Sequence, residues 1–120
     1  MKELITTAIK YHGTNPGNWE FPWCAAFINK VLELNGQKQS GSLMARSFLG
    51  IGEHTDAPKL GDIVVLWRID KNSQWGHAGF YINEDKDNIT LLGGNQDNTV
   101  KIKSYPKWQL LDIRKIQNHE

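Results

Sequence analysis

The chain has 120 residues, of which 39% are hydrophobic and 10% aromatic, enough for one domain (1–120) with a modest core and too apolar for disorder. Charged residues make up 22% and the formal net charge is +1, which gives no electrostatic case for nucleic acid or for a polybasic membrane anchor. One cysteine, Cys24, excludes an internal disulfide and a tetrathiolate metal centre.

No apolar run reaches the length of a membrane span, and Met1 to Ala8 is too polar and short for the apolar region of an export signal. The expectation is synthesis in the cytoplasm without a signal peptide. In chain order, residues 2–11 are expected to form a first helix, with Leu4, Ile5, Ala8 and Tyr11 at helical spacing. His12 to Asn18 is dense in turn formers. A second helix is expected from near Pro22, where proline suits the first turn, to Gly36, with Cys24, Phe27, Ile28 and Val31 on one face. A short helix is expected over 42–49.

After Gly52 the texture changes to strands. Residues 63–67 and 77–82 read as strands, and 89–92 as a third after a polar turn at 83–88. Further strand candidates are 100–102 and 110–116. Helices first and strands after, with short connections, argue for an α+β fold whose N-terminal helices pack on an antiparallel sheet of five to six strands.

Cys24 falls at the start of a helix, where free backbone amides and the helix dipole favour a thiolate and can hold an oxyanion. The alternative is a small buried apolar residue at the head of the Phe27–Val31 face. His77 opens a strand and can reach a helix terminus packed across the sheet, as a general base must. Asn95 ends the next strand, where its amide could accept the second ring N–H and fix the tautomer. Taken alone, Gly93 to Asn98 is ordinary turn composition.

Other residues divide between site and scaffold. Trp19, Phe21, Trp23, Trp67 and Trp75 either fill the core or line a groove. Arg46 could meet a substrate carboxylate or make a structural ion pair. Asp62 reads as a turn residue, and Asp85, Asp87 and Asp97 lack the spacing of a calcium loop. His12, His54 and His119 have no partners at metal-ligand spacing and are treated as surface residues; no metal or other cofactor is expected.

Five stretches stand in the order of a known family: 22–27 (Pro22, Trp23, Cys24), 41–47 (Gly41 to Ser47), 59–66 (Gly61, Asp62), 76–81 (Gly76, His77) and 91–96 (Gly93, Asn95, Gln96). Together they resemble the cell-wall cysteine hydrolases of the NlpC and CHAP type, small papain-like domains, from Pro22 to about Tyr105. The resemblance implies a cysteine peptidase or amidase that cleaves an amide bond in peptidoglycan. The cut would lie within the stem peptide or at its junction with the glycan. It implies Cys24, His77 and Asn95 as catalytic residues, with Trp23, Arg46, Trp75 and Gln96 beside the substrate. It further implies a monomer whose partner is bacterial peptidoglycan, acting in the cell wall or periplasm after release or delivery, as an endolysin or a bacteriolytic toxin does. An inhibitor protein is expected where the producing cell is itself a target. A catalytically inactive wall-binding module on the same fold would have no need of both Cys24 and His77. A related enzyme acting on another amide or thioester would keep them.

Overall fold

The computed structural model describes residues 4–72 and 75–116; the expected helix residues 2 and 3, and His119, lie outside them. The first helix, α1, spans Leu4–Ile9. The second, α2, spans Cys24–Leu34 and buries Cys24, Phe27, Ile28, Val31 and Leu32. It begins two residues later than Pro22 suggests, and it ends as expected at Gly36. There the backbone turns left-handed (φ +69°), and the amides of Gly36 and Gln37 return to the carbonyls of Glu33 and Leu32.

The segment expected as a third helix is a 3₁₀ turn, Ala45–Gly50. Its approach is tied to α2 by Asn29, whose amide accepts from the Ser40 backbone (2.9 Å) and donates to the Ser42 carbonyl (3.1 Å). Six strands follow: β1 Glu53–His54, β2 Ile63–Trp67, β3 Gly76–Glu84, β4 Asn88–Gln96, β5 Thr99–Pro106 and β6 Leu110–Lys115. A second 3₁₀ turn, Lys107–Gln109, joins the last two. The pairings between these strands are antiparallel, in the order β1-β6-β2-β3-β4-β5, and a single parallel bridge ties His12 to Val100 of β5. The fold is therefore α+β with an antiparallel sheet.

β2 matches its apolar run and β6 ends one residue short of its expected span, while β3, β4 and β5 extend beyond theirs, because hydrogen bonding to neighbours carries polar residues along. β1 was not expected: Glu53 and His54 carry no apolar pattern, and only pairing with Arg114 and Lys115 makes them a strand. One sheet face, bearing Ile63, Val65, Ala78, Phe80 and Leu92, packs under α1, α2 and the 3₁₀ turn. The other bears Val64, Leu66, Tyr81, Ile89 and Leu91. Each fully buried side chain of this size contributes roughly 1.5–3 kcal/mol. Among the described residues no helix is long and apolar enough to cross a membrane.

The start of α2 sits over the end of β4. A Cβ on Gly94 would lie 2.6 Å from the Trp23 ring and 2.8 Å from Phe27 Cβ, so the missing side chain is what lets the helix settle there. β3 and β4 run antiparallel, so the start of one lies beside the end of the other. The first residues of β3, the last residues of β4 and the N-terminus of α2 thus meet at one end of the sheet.

Candidate active site

Cys24 is the first residue of α2 and is 8% exposed. The residue before it, Trp23, makes no side-chain cap, so the first amides of the helix are not taken by a capping side chain. Burial pushes the Cys24 thiol above its ordinary pKa. The backbone amides of Ala78, Ala25 and Cys24 itself, with the charge of Arg68, pull the other way without overcoming it. The expectation of a preformed thiolate at the helix terminus therefore gives way: removal from water outweighs the dipole here.

His77, the second residue of β3, is 2% exposed. Its Nε2 lies 2.9 Å from Oε1 of Gln96, which is 3% exposed. The Gln96 amide cannot flip without loss, because its Nε2 donates to the Lys101 carbonyl while Oε1 also accepts from the Tyr105 hydroxyl at 2.6 Å. An oxygen faces the ring, so the ring must donate through Nε2–H, and Nδ1 carries the lone pair. The Tyr105 ring lies against the imidazole, with centroids 5.3 Å apart. Burial pushes His77 down to about 4; the Gln96 bond opposes this, and the charges of Arg68 and Lys103 add to it. At neutral pH the imidazole is an uncharged base. Burial also pushes Tyr105 up to about 12, which keeps its hydroxyl a donor.

The third position is a correction to the sequence reading: Gln96, not Asn95, holds the ring. Strand alternation from Gly93 would bring Asn95 to the His77 side. A bulge intervenes, since Gly93 pairs with Lys101 and Gln96 with Thr99, three steps of β4 against two of β5. Asn95 takes up the extra residue in the left-handed conformation (φ +58°), and Gln96 moves into its place. A Cβ on Gly93 would sit 3.3 Å from His77 Nε2 and 3.2 Å from Gln96 Oε1, so glycine leaves room for the pair.

No hydrogen bond joins Cys24 Sγ to the His77 ring directly. The amide of Ala78, next in the chain to His77, is directed at the sulfur, and Arg68 acts on both groups. Bonds between catalytic partners commonly tighten only when substrate arrives.

Of the four residues expected beside the substrate, three do other work. Trp23 is fully buried; its indole donates to Asn98 Oδ1 (3.2 Å) and packs on Trp19 and Phe27. Gln96 belongs to the His77 network. Arg46 spends its guanidinium on backbone carbonyls, with Nε to Trp75 (3.2 Å), Nη1 to Lys71 (2.8 Å) and Nη2 to Asp70 (3.1 Å), so it clamps the β2–β3 loop. Trp75, on that loop, is 54% exposed and lines a cavity together with Cys24.

Neither a scan of protein-family models nor a search of curated proteins returned a match for this chain. Two residues of the site were not foreseen, Tyr105 and Arg68. Tyr105 lies beyond the strand expected at 100–102 and carried no signal; it joins the site because β5 runs on to Pro106 and its hydroxyl reaches Gln96. Asp62 is the turn residue expected, accepting from the Lys59 amide at 2.8 Å. Among the described residues, no three His, Cys, Asp or Glu side chains converge to hold a metal ion.

Proposed function

We propose that the chain is a papain-like cysteine hydrolase that cleaves an amide bond of bacterial peptidoglycan, with Cys24 as nucleophile, His77 as base and Gln96 as the residue that orients the base. The observation that carries the reading is the buried His77–Gln96 pair, held in one orientation by Tyr105 and Lys101, at the sheet end where Cys24 opens its helix. The five ordered stretches resembling NlpC and CHAP enzymes supply the substrate class.

The chemistry follows from the protonation states. Thiol and imidazole both rest uncharged, so the thiol proton passes to His77 Nδ1 as Sγ attacks the carbonyl carbon. The Cys24 backbone amide donates to the oxyanion. His77 then returns the proton to the leaving nitrogen, the C–N bond breaks, and a thioester remains on Sγ. Water, deprotonated by the same Nδ1, adds to the thioester carbonyl; the C–S bond breaks, Sγ takes back the proton from His77, and the new carboxyl group is released. Gln96 keeps Nε2–H pointed away throughout and stabilises the transient imidazolium. The substrate lies outside the cytoplasmic membrane, so the enzyme works after release or delivery. A susceptible producing cell needs an inhibitor protein.

Digestion of purified sacculi, with the fragments weighed by mass spectrometry, tests the reading. Wild-type protein is expected to release stem-peptide fragments with new amine and carboxyl ends, and folded Cys24→Ala none. Release by Cys24→Ala, or intact sacculi after treatment with wild type, overturns it.

A further inference from the structure

A cavity of about 90 Å³ opens beside the nucleophile. Pro22, Cys24, Ala45 and Gly76 line it together with three larger apolar side chains, Leu43, Met44 and Trp75. Those three are 59%, 44% and 54% exposed, so large apolar surface faces solvent around a thiol that is itself nearly covered. Among the described residues no charged side chain lines the space.

The cavity is built rather than incidental. Gly76 cannot carry a side chain, since its Cβ would meet the Leu66 carbonyl oxygen at 2.6 Å. Arg46 pins the Trp75 wall through the carbonyls of Trp75, Lys71 and Asp70. The opposite wall is held through Met44, whose amide donates to Ser42 Oγ (3.0 Å) and whose carbonyl accepts from Ser47 Oγ (2.6 Å).

We infer that this cavity is the pocket for one small aliphatic side chain, of methyl to isopropyl size, on the substrate residue that supplies the scissile carbonyl. This rests on Cys24 being the nucleophile. The residue whose carbonyl bonds to Sγ has its Cα substituent one bond further on, within reach of a cavity that has Cys24 as a wall. A benzyl group would need essentially the whole of that space, whereas a methyl or isopropyl group fits inside it. A charged side chain would lose part of its hydration against Leu43, Met44 and Trp75, and none of the residues lining the cavity carries a charge to replace it.

The test is a panel of N-acetyl-aminoacyl chloromethyl ketones carrying alanine, valine, phenylalanine, aspartate or lysine side chains, in both configurations. Inactivation rates are followed by intact mass and normalised to iodoacetamide, which has no side chain to place. In the preferred configuration, alanine and valine reagents are expected to react at least about tenfold faster than the aspartate, lysine and phenylalanine ones, the discrimination such pockets achieve. Met44→Ala, which opens a solvent-facing wall without touching the core, is expected to bring the phenylalanine reagent up about tenfold relative to alanine. Equal rates across the panel, a preference for a charged reagent, or a Met44→Ala pattern like wild type overturns the pocket while leaving the nucleophile in place. A Cys24 inert to iodoacetamide and to every ketone overturns the nucleophile reading and the pocket with it.

Discussion

His77 and His54 show what surroundings do to one side chain. Both rings hydrogen-bond to side-chain oxygens. His77 is buried against a neutral amide, and burial brings it down to about 4. His54 is exposed on β1 between two carboxylates, Nδ1 at 2.5 Å from Asp112 and Nε2 at 2.8 Å from Asp56, and they raise its pKa. The first arrangement produces an uncharged base with one nitrogen free to act. The second commits both nitrogens and produces a charged clip between β1 and β6, of the exposed kind that contributes little to stability. The two histidines thus differ, one an uncharged ring with a free nitrogen and the other a ring bonded at both, according to what desolvates them and what accepts their protons.

The largest expected effect separates them outright. His77→Ala should reduce peptidoglycan hydrolysis on the order of 10³-fold or more, nearly as much as Cys24→Ala, because members of one catalytic unit are non-additive. His54→Ala should leave turnover alone. Comparable losses at 77 and 54 would place the base elsewhere.

Next comes the partner. Gln96→Ala should cost roughly 10–100-fold in kcat/KM, by analogy with the loss of a group that orients a metal-bound histidine, whereas Asn95→Ala should cost little. Gln96→Glu sharpens the contrast by giving His77 a carboxylate like that beside His54. The acidic limb of kcat/KM, expected near pH 4 in wild type, should then move upward. A limb that stays where it was would detach Gln96 from the titrating group.

The same contrast appears in stability. His77 binds its proton less readily folded than unfolded, so between its ordinary 6.5 and about 4 the unfolded chain holds more protons and stability rises with pH. Acidification across that window should remove about 3 kcal/mol, at 1.36 kcal/mol per pH unit, read by denaturant titration, and His77→Gln should flatten that part of the profile. His54 has the opposite sign: its contribution is complete in acid and is lost as pH rises through its raised pKa. The smallest effect is therefore a slight loss of thermal stability in His54→Ala, seen in acid and vanishing in alkali.

The sequence made the scaffold legible where apolar periodicity carries it. Pro22, the Cys24–Phe27–Ile28–Val31 face and Gly36 framed α2, and the β-branched runs marked β2, β3 and β4. It was silent on β1, whose polar residues become a strand only by pairing, and on the bulge at Asn95. The left-handed Asn95, one residue before the end of β4, takes up the shift in the β4–β5 register, so an assignment that placed Asn95 at the strand's end pointed to the wrong amide. Trp23 and Trp75 each adjoin a proposed catalytic segment and look alike in sequence. Gly94 lets the first sink into the core, and the loop clamped by Arg46 holds the second at the surface. Arg46 itself could not be told from a substrate anchor, because the carbonyls it binds lie 24 to 29 residues away.

The most direct test is to look for the acyl group on the sulfur. Purified muropeptides mixed with wild-type protein and quenched in acid within the first turnovers should give an intact mass raised by one acyl fragment, mapping to Cys24. The adduct should persist longer in Gln96→Ala, whose His77 activates water less well, and be absent in Cys24→Ala. Turnover without any adduct on wild type or Gln96→Ala, or hydrolysis that survives the loss of Cys24, would contradict a Cys24–His77–Gln96 hydrolase.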